Sequence, residues 1–341
     1  MRVRWVLVMF ASVVGVIWLA GASNLPRAVM VGDNLKQAKT IGAKTKIVFK
    51  VVDEEGTPVS GAKISVGLFL WSTDHNGVNG VTDRKGVLVV RGATVGDVRY
   101  SVNKEGYYYT HGGFYIPRLP GASLKDGKWQ PYGMEHKVVL KRIRNPIPMY
   151  AKSPRDRCYF LELNKAYGFD AMIMDWVQPM GLGKHVDILV EYRGEGLKDL
   201  GYREGELVLS WVDPECGFYP VNYDGSEFKS PYHAQTNQSL TTSITLFNRR
   251  DSTGIFTNIE KCLVFRIRPR FSRDGTLLGS FYGKIYGSVR FSYSHPGKQD
   301  KAGFGINIYT NPTENDTNLE FLPYHSLNYP SERDKQPNIA P

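Results

Sequence analysis

Residues 46–66 read KIVFKVVDEEGTPVSGAKISV, and this stretch decides the fold class. Its first seven residues are rich in β-branched and aromatic side chains with a repeat of two, which is typical of a strand and not of a helix. A polar turn follows at Asp53–Pro58, where Gly56 and Pro58 supply the backbone conformations that turns need. A second alternating run begins at Val59. We therefore expect two strands joined by a tight turn.

The same pattern recurs from Thr45 to Tyr309, while the spacing of an amphipathic helix is nearly absent. Further strands are predicted at 87–91, 98–103 and 136–141, separated by segments rich in Gly, Asp, Asn and Pro. The fold class predicted from this pattern is all-β.

The 341 residues are enough for two domains. Residues 144–150 contain two closely spaced prolines, which exclude a helix and favour extended backbone, so we interpret them as a linker with the boundary near Tyr150. We expect a β-sandwich-type domain at 44–144 and a second β-rich domain at 151–322.

The first block contains five short motifs: Val52-Asp53, Gly56-x-Pro58-Val59, Gly61-Ala62, Thr82-Asp83-x-x-Gly86 and Lys104-x-Gly106-Tyr107. Together they resemble a carboxypeptidase regulatory-like domain, which has a transthyretin-like Greek-key fold. The resemblance implies that residues 44–144 form a structural or carbohydrate-facing accessory module without catalytic residues. The chain departs from the family in an aromatic-rich insertion before the final strand.

Motifs of the second block resemble a group of secreted bacterial proteins that carry the same amino-terminal module, and the likeness spans most of residues 40–322. It implies secretion and architecture only, because no activity is assigned to that group. The motif positions, of unknown role, are Asp175, Trp176, Lys184, Asp187, Tyr282, Lys284, Asn315 and Asp316.

The amino terminus predicts export. Arg2 and Arg4 precede an apolar run from Trp5 to Ala20, short for a membrane span, and the small residues at Ala20 and Ala22 suit a signal peptidase. We expect a signal peptide at 1–22 and a secreted, periplasmic or envelope-associated protein, with an uncleaved anchor as the alternative. At the other end, residues 331–341 predict a disordered tail.

Charge and cysteines exclude several classes of partner and cofactor. The net charge of +10 is scattered, and the alternating Arg266, Arg268 and Arg270 are typical of the solvent face of a strand, so no nucleic-acid partner is expected. The three cysteines lack any C-x-x-C spacing, so we expect no structural zinc. We expect one disulfide and one buried thiol, with the pairing among Cys158, Cys216 and Cys262 left open.

Carboxylates of the second block are the only candidates for catalysis, and their spacing singles out no pair. His185, Asp187 and Glu191 would share one face of a continuous strand, which is more simply an exposed strand face. Asp175, Asp213 and Glu215 complete the acidic candidates. Asn315 and Asp316, with Asn318 and Glu320, could form a calcium loop, although Asx-turn chemistry is the simpler interpretation. We expect no catalytic residues, no metal and no cofactor.

Aromatic residues make up 12% of the chain and suggest a ligand-binding role. Trp176 and Trp211 alternate with apolar neighbours and are predicted to be core. Tyr107, Tyr108, Tyr109 and Trp129, in the insertion at 107–134, are the candidate ligand-binding residues; the alternative is an interdomain clamp.

Together these features predict a non-catalytic binding or structural protein of the envelope, with a glycan or another envelope component as partner and the oligomeric state open. The alternative is a glycan-acting hydrolase that uses carboxylates of the second domain.

Overall fold

The computed structural model describes residues 32, 34–70, 76–153, 159–194, 205–222, 225–251, 254–257, 261–285, 290–293, 301–329 and 341. The expected signal peptide, Cys158 and the expected tail up to residue 340 lie outside the described residues. Strands dominate the rest, which confirms the all-β class. No helix in this part of the chain has the length and hydropathy of a membrane span.

The amino-terminal block (residues 35–140) is a β-sandwich. Its elements are α1 Leu35–Ile41, β1 Ala43–Asp53, β2 Lys63–Leu68, β3 Asn76–Val81, β4 Val87–Thr94, β5 Asp97–Asn103, β6 Thr110–Tyr115, β7 Ser123–Lys125, β8 Lys128–Gln130 and β9 Met134–Leu140. One sheet contains β4, β1, β9, β8 and β7, and the other has the order β3-β2-β5-β6. Both sheets contribute to one buried core, which includes Phe49 of β1 and Val66 of β2.

Burial along β1 alternates as its sequence predicts, with Ile47, Phe49 and Val51 fully buried. The next predicted strand does not pair with it as a hairpin. The chain returns along β1 only as far as the bridge between Val52 and Pro58, turns at Gly61 with a φ of +71°, and crosses to the opposite sheet as β2. The long partners of β1 are β4, antiparallel, and β9, parallel.

The glycine and threonine motifs of this block pack two turns together. The Thr82 hydroxyl donates to the carbonyl of Val59 at 2.7 Å and accepts from the backbone N–H of Ala62 at 2.9 Å. Gly86 has a φ of +71°, and a Cβ there would lie 2.4 Å from the carbonyl oxygen of Val51, so no other residue fits. These motif residues serve the fold.

The insertion at 107–134 is regular structure and not a loop. Strand β6 pairs over its whole length with β5: Tyr115 lies opposite Asp97 at one end, and Thr110 lies opposite Val102 at the other. A 3-10 turn at Ile116–Arg118 leads to the β7–β8 hairpin, whose β8 joins the sheet of β1. The insertion therefore completes both sheets of the sandwich.

The carboxyl-terminal block (residues 147–326) contains the other strands. They are β10 Ile147–Lys152, β11 Tyr159–Glu162, β12 Ala166–Asp170, β13 Asp175–Trp176, β14 Ile188–Gly194, β15 Gly205–Trp211, β16 Gly217–Asn222, β17 Ser243–Asp251, β18 Gly254–Thr257, β19 Lys261–Phe271, β20 Leu277–Ile285, β21 Arg290–Tyr293, β22 Lys301–Gly305, β23 Ile308–Thr310 and β24 Phe321–Ser326.

Two six-stranded sheets and a three-stranded sheet make up this block. Their orders are β16-β19-β20-β23-β10-β24, β13-β12-β14-β15-β17-β18 and β11-β22-β21. Strand β10 starts inside the predicted linker, which is extended as expected but pairs with β23 and β24 from Ile147 onward. Trp176 and Trp211 are buried in the larger core, as predicted.

Candidate functional site

Asp170 organises the loop that contains four of the motif positions. We call residues 170–187, from the end of β12 to the start of β14, the pinned loop. Asp170 Oδ1 accepts from the backbone N–H of Met172 and of Ile173, both at 3.0 Å. Its Oδ2 accepts from the backbone N–H of Lys184 at 2.9 Å and of His185 at 3.0 Å. One fully buried carboxylate thus holds both ends of the loop.

The pKa of Asp170 follows from these contacts. Burial raises it, but the four backbone N–H donors outweigh burial and hold the pKa below the ordinary value of a carboxyl. Asp170 is therefore ionised at neutral pH. It accepts hydrogen bonds that hold the loop and is a poor proton donor.

Arg268 joins Asp170 to Asp187. Its Nε and Nη2 donate to the two oxygens of Asp187 at 2.9 and 2.8 Å, and Nη2 also donates to Asp170 Oδ1 at 2.7 Å. Asp187 Oδ2 accepts in addition from the backbone N–H of Ala171 at 2.9 Å. Two buried carboxylates therefore share one guanidinium in a bidentate arrangement.

Asp175 fixes the middle of the pinned loop. Its oxygens accept from the backbone N–H of Trp176 and of Leu182, each at 2.9 Å, and Lys152 Nζ lies 3.8 Å from Oδ1. Gly183 allows the loop to close, because a Cβ there would lie 2.8 Å from the Cβ of Asp170. The three aspartates of the loop are all committed to holding its backbone.

A second polar cluster connects the two blocks. We call it the joint; it consists of Tyr108, Lys141, Phe228, Ser230, Lys284 and Glu320. The Tyr108 hydroxyl donates to Glu320 Oε1 at 2.7 Å, and its ring stacks on Phe228 with centroids 5.0 Å apart. Glu320 also accepts from the backbone N–H of Arg144 at 2.8 Å and of Asn145 at 2.6 Å. This carboxylate therefore holds the segment of chain that connects the two blocks.

Two lysines of the joint meet at Ser230. Lys141 Nζ donates to the carbonyl oxygens of Phe228 at 3.0 Å and Ser230 at 3.2 Å, and Lys284 Nζ donates to the Ser230 hydroxyl at 3.3 Å. Lys284 is fully buried, and its Nζ lies 4.7 Å from the ring centroid of Phe228. Burial lowers the pKa of Lys284 to about 7. Charge on this amine is thus disfavoured near neutral pH.

Comparisons with known proteins add no family. No family model and no curated protein matches the chain. Among solved structures, it is similar to the 3-chlorocatechol 1,2-dioxygenase of Rhodococcus opacus 1CP, with 12% identity over 30% of this chain and a TM-score of 0.25. The chain spans 61% of the length of that dioxygenase.

Two pilins are also similar to the chain. The streptococcal ancillary pilin has 13% identity, covers 62% of this chain and 60% of its own, and gives a TM-score of 0.21. The major pilin subunit of Bacillus cereus has 12% identity, covers 82% of this chain and 98% of its own, and gives a TM-score of 0.21. Scores this low establish no common fold and transfer no function.

The structure corrects the surface role expected for Trp129 and Tyr108. Trp129 is 1% exposed in the core of the first sandwich, and its Nε1 donates to the carbonyl of Thr94 at 2.8 Å. Tyr108 is 5% exposed in the joint. Both rings are buried because the insertion folds into the sheets. Tyr107 is half-buried, with Arg142 above its ring, and Tyr109 is 42% exposed.

Part of the insertion contacts the carboxyl-terminal block, which is the arrangement expected in the alternative of an interdomain clamp. The backbone N–H of Glu227 donates to the carbonyl of Tyr109 at 2.8 Å, and that of His111 donates to the carbonyl of Gly225 at 3.1 Å. Residues 108–111 thus extend the contact made by Tyr108.

The other acidic candidates do not assemble into a site. Asp187 precedes β14 and turns inward to Arg268, whereas Glu191 lies within β14 and pairs with Arg193 at 2.7 Å, so the shared strand face expected for them is not formed. His185 is exposed. Asp213 Oδ1 accepts from the backbone N–H of Glu215 at 2.9 Å, as in a turn.

The remaining motif positions lie near the joint. Tyr282 and Lys284 are buried on β20, and Asn315 Oδ1 accepts from the backbone N–H of Ser280 on the same strand at 3.1 Å. Asp316 Oδ1 accepts from the backbone N–H of Asn318 at 3.0 Å, which is the Asx-turn chemistry expected there. Among the described residues, no three His, Cys, Asp or Glu side chains gather closely enough to hold a metal ion.

The expected disulfide is not formed by the described cysteines. Cys216 and Cys262 are both buried free thiols, and Cys158 lies outside the described residues. Burial raises the pKa of each of the two described thiols to about 12. They are inert core residues, because a reactive cysteine needs an accessible thiolate.

Sequence reasoning missed Asp170 and Lys141 and predicted other roles for Arg268 and Glu320. Arg268 is predicted on a solvent face, but β19 has a register shift after Ile267, and Arg268 has a φ of +49° there. A bulge re-aims the side chain at such a position. Glu320, predicted beside a possible calcium loop, accepts from the Tyr108 hydroxyl instead. Asp170 ends β12 ahead of a Gly-containing loop, a detectable signal for a turn, whereas Lys141 carries no local signal.

Proposed function

We propose that this chain is an exported, non-catalytic binding or structural protein of the cell envelope, with a glycan as its ligand class. The observation that carries the proposal is the state of the carboxylates in the pinned loop and the joint. Asp170, Asp175 and Asp187 are saturated by backbone N–H groups and by Arg268, and Glu320 by Tyr108 and two backbone N–H groups. A glycosidase instead needs one carboxyl kept protonated and facing its substrate.

Two small pockets among the described residues are too narrow to be the substrate cleft of a glycosidase. One is lined by residues that include Lys152, Phe169 and Trp176, and the other by residues that include Tyr219, Arg266 and Tyr282. Each has a volume of about 10 Å³. That is room for about one water molecule, so neither accepts a sugar ring.

Tyr109 is the exposed member of the predicted aromatic set and therefore the residue to test for stacking on a sugar. Tyr132, outside that set, is its matched control, because the two are 42% and 41% exposed. Tyr109→Ala should weaken glycan binding about three- to tenfold, the range expected for one aromatic contact, while Tyr132→Ala should not.

The experiment is a glycan array probed with the chain from Ser23 onward, beside an assay for sugar release from polysaccharides. Binding without release supports the proposal. Release of product would establish the hydrolase instead, and equal losses in the two tyrosine variants would remove Tyr109 as the contact.

A further inference from the structure

Four aliphatic side chains project into solvent from the pinned loop. Ile173, Met180, Leu182 and Val186 are 42%, 41%, 74% and 39% exposed. We call these four residues the apolar tip. Scattered exposed apolar residues are ordinary, but four within fourteen positions of one loop are a local concentration that points to a partner.

Backbone contacts hold the apolar tip together. Ile173 and Lys184 donate their backbone N–H groups to the two oxygens of the same carboxylate, that of Asp170. The backbone N–H of Leu182 is bound by Asp175 at 2.9 Å, and Val177 and Gly183 form a β-bridge across the loop. The tip is therefore preorganised, and little conformational entropy is lost when it meets a partner.

The acidic and basic side chains of the pinned loop point in different directions. Its three carboxylates point inward to backbone N–H groups, Arg268 and Lys152, as described above. Its exposed ionisable residues are Lys184 and His185. The surface of the loop is thus apolar with a basic edge, in a chain whose net charge is +10.

We propose that the apolar tip inserts into the interfacial region of an anionic lipid bilayer, with Lys184 and His185 against the headgroups. Aliphatic side chains beside the Lys184 cation match the acyl and headgroup layers of such a surface. The tip offers no aromatic face for a sugar. A second copy of the chain fits poorly, because a two-fold contact through the tip would bring Lys184 and His185 close to their own copies.

This goes beyond the proposed function, because a glycan-binding or structural protein need not touch lipid. The two are separable: vesicle binding tests the tip, and the glycan array tests the exposed aromatic residue. Either result stands without the other.

The test is co-sedimentation with vesicles of phosphatidylcholine, with and without phosphatidylglycerol. The chain from Ser23 onward is used so that the apolar run at 5–20 cannot contribute. We expect binding to the anionic vesicles and at least about a tenfold loss in Leu182→Ser, the value of one buried leucine side chain. Lys184→Glu should remove the preference for anionic lipid.

Val81→Ser is the matched control, since Val81 is 55% exposed on β3 of the other block. It should bind like the wild type, and urea midpoints of all variants should agree because the changed side chains are exposed. Failure of the wild type to bind, or equal binding by Leu182→Ser, would overturn the proposal. A concentration-dependent dimer that Leu182→Ser abolishes would also overturn it, by assigning the tip to self-association.

Discussion

Arg268 lies at a bulge in β19, and its side chain reaches two buried carboxylates. Arg268→Ala should lower the free energy of unfolding by about 3 kcal/mol, because removing one partner leaves Asp170 and Asp187 buried without their cation. Arg270→Ala is the control: its pair with Glu314 is exposed and should be worth about 0–1 kcal/mol. Urea denaturation measures both. Equal small losses would mean that backbone N–H groups alone hold the loop.

Lys284 predicts a pH dependence of stability. Its pKa is about 7 in the folded chain because of burial, with further effects from Cys262, Lys141 and Glu320, and about 10.4 in the unfolded chain. Between these values the unfolded chain binds more protons, so this lysine makes stability rise with pH across that window.

Lys284→Met should remove that rise while leaving the core filled. The measurement is the difference between the melting temperatures of wild type and variant from pH 7 to 10, in which the titrations of other groups largely cancel. A difference that stays constant with pH would contradict the lowered pKa.

At the level of elements, strand prediction depended on where each strand lies. β1 and β9 were predictable because one face is buried and the other is not, so their side chains alternate. β10 was hidden by Pro146 before it and Pro148 within it, since closely spaced prolines are typical of a linker, although the strand has partners on both sides. The pinned loop could not be assembled from sequence, because Asp170 meets Arg268 across 98 positions of chain.

The sandwich of β1–β9 has its own core, drawn wholly from residues 38–140. A fragment of residues 32–145 should therefore melt cooperatively with a β-rich circular dichroism spectrum. It should be less stable than the intact chain, because Tyr108 and Lys141 lose their partners Glu320, Phe228 and Ser230. A fragment without any cooperative transition would show that the two blocks depend on a shared core.

For the whole molecule, the joint sets how the blocks unfold relative to each other. Tyr108 and Lys141 of the amino-terminal side reach Glu320 and Ser230 of the other, and Tyr232 donates to the carbonyl of Arg142 at 2.6 Å. Contacts between domains of one chain are often weak enough to permit relative motion. Here they include a buried carboxylate and a stacked aromatic pair, so we expect the blocks to unfold together.

Glu320→Ala should uncouple them. The change removes the acceptor of the Tyr108 hydroxyl, which is buried, and of the part-buried backbone N–H groups of Arg144 and Asn145. A buried donor without an acceptor costs about 1–3 kcal/mol, and that loss falls on the joint while both block cores stay intact. Calorimetry should show one transition for the wild type and two for the variant, with Glu314→Ala, a partly exposed carboxylate outside the joint, behaving like the wild type. A single transition at lower temperature in Glu320→Ala would mean that the cores themselves, and not the joint, couple the blocks.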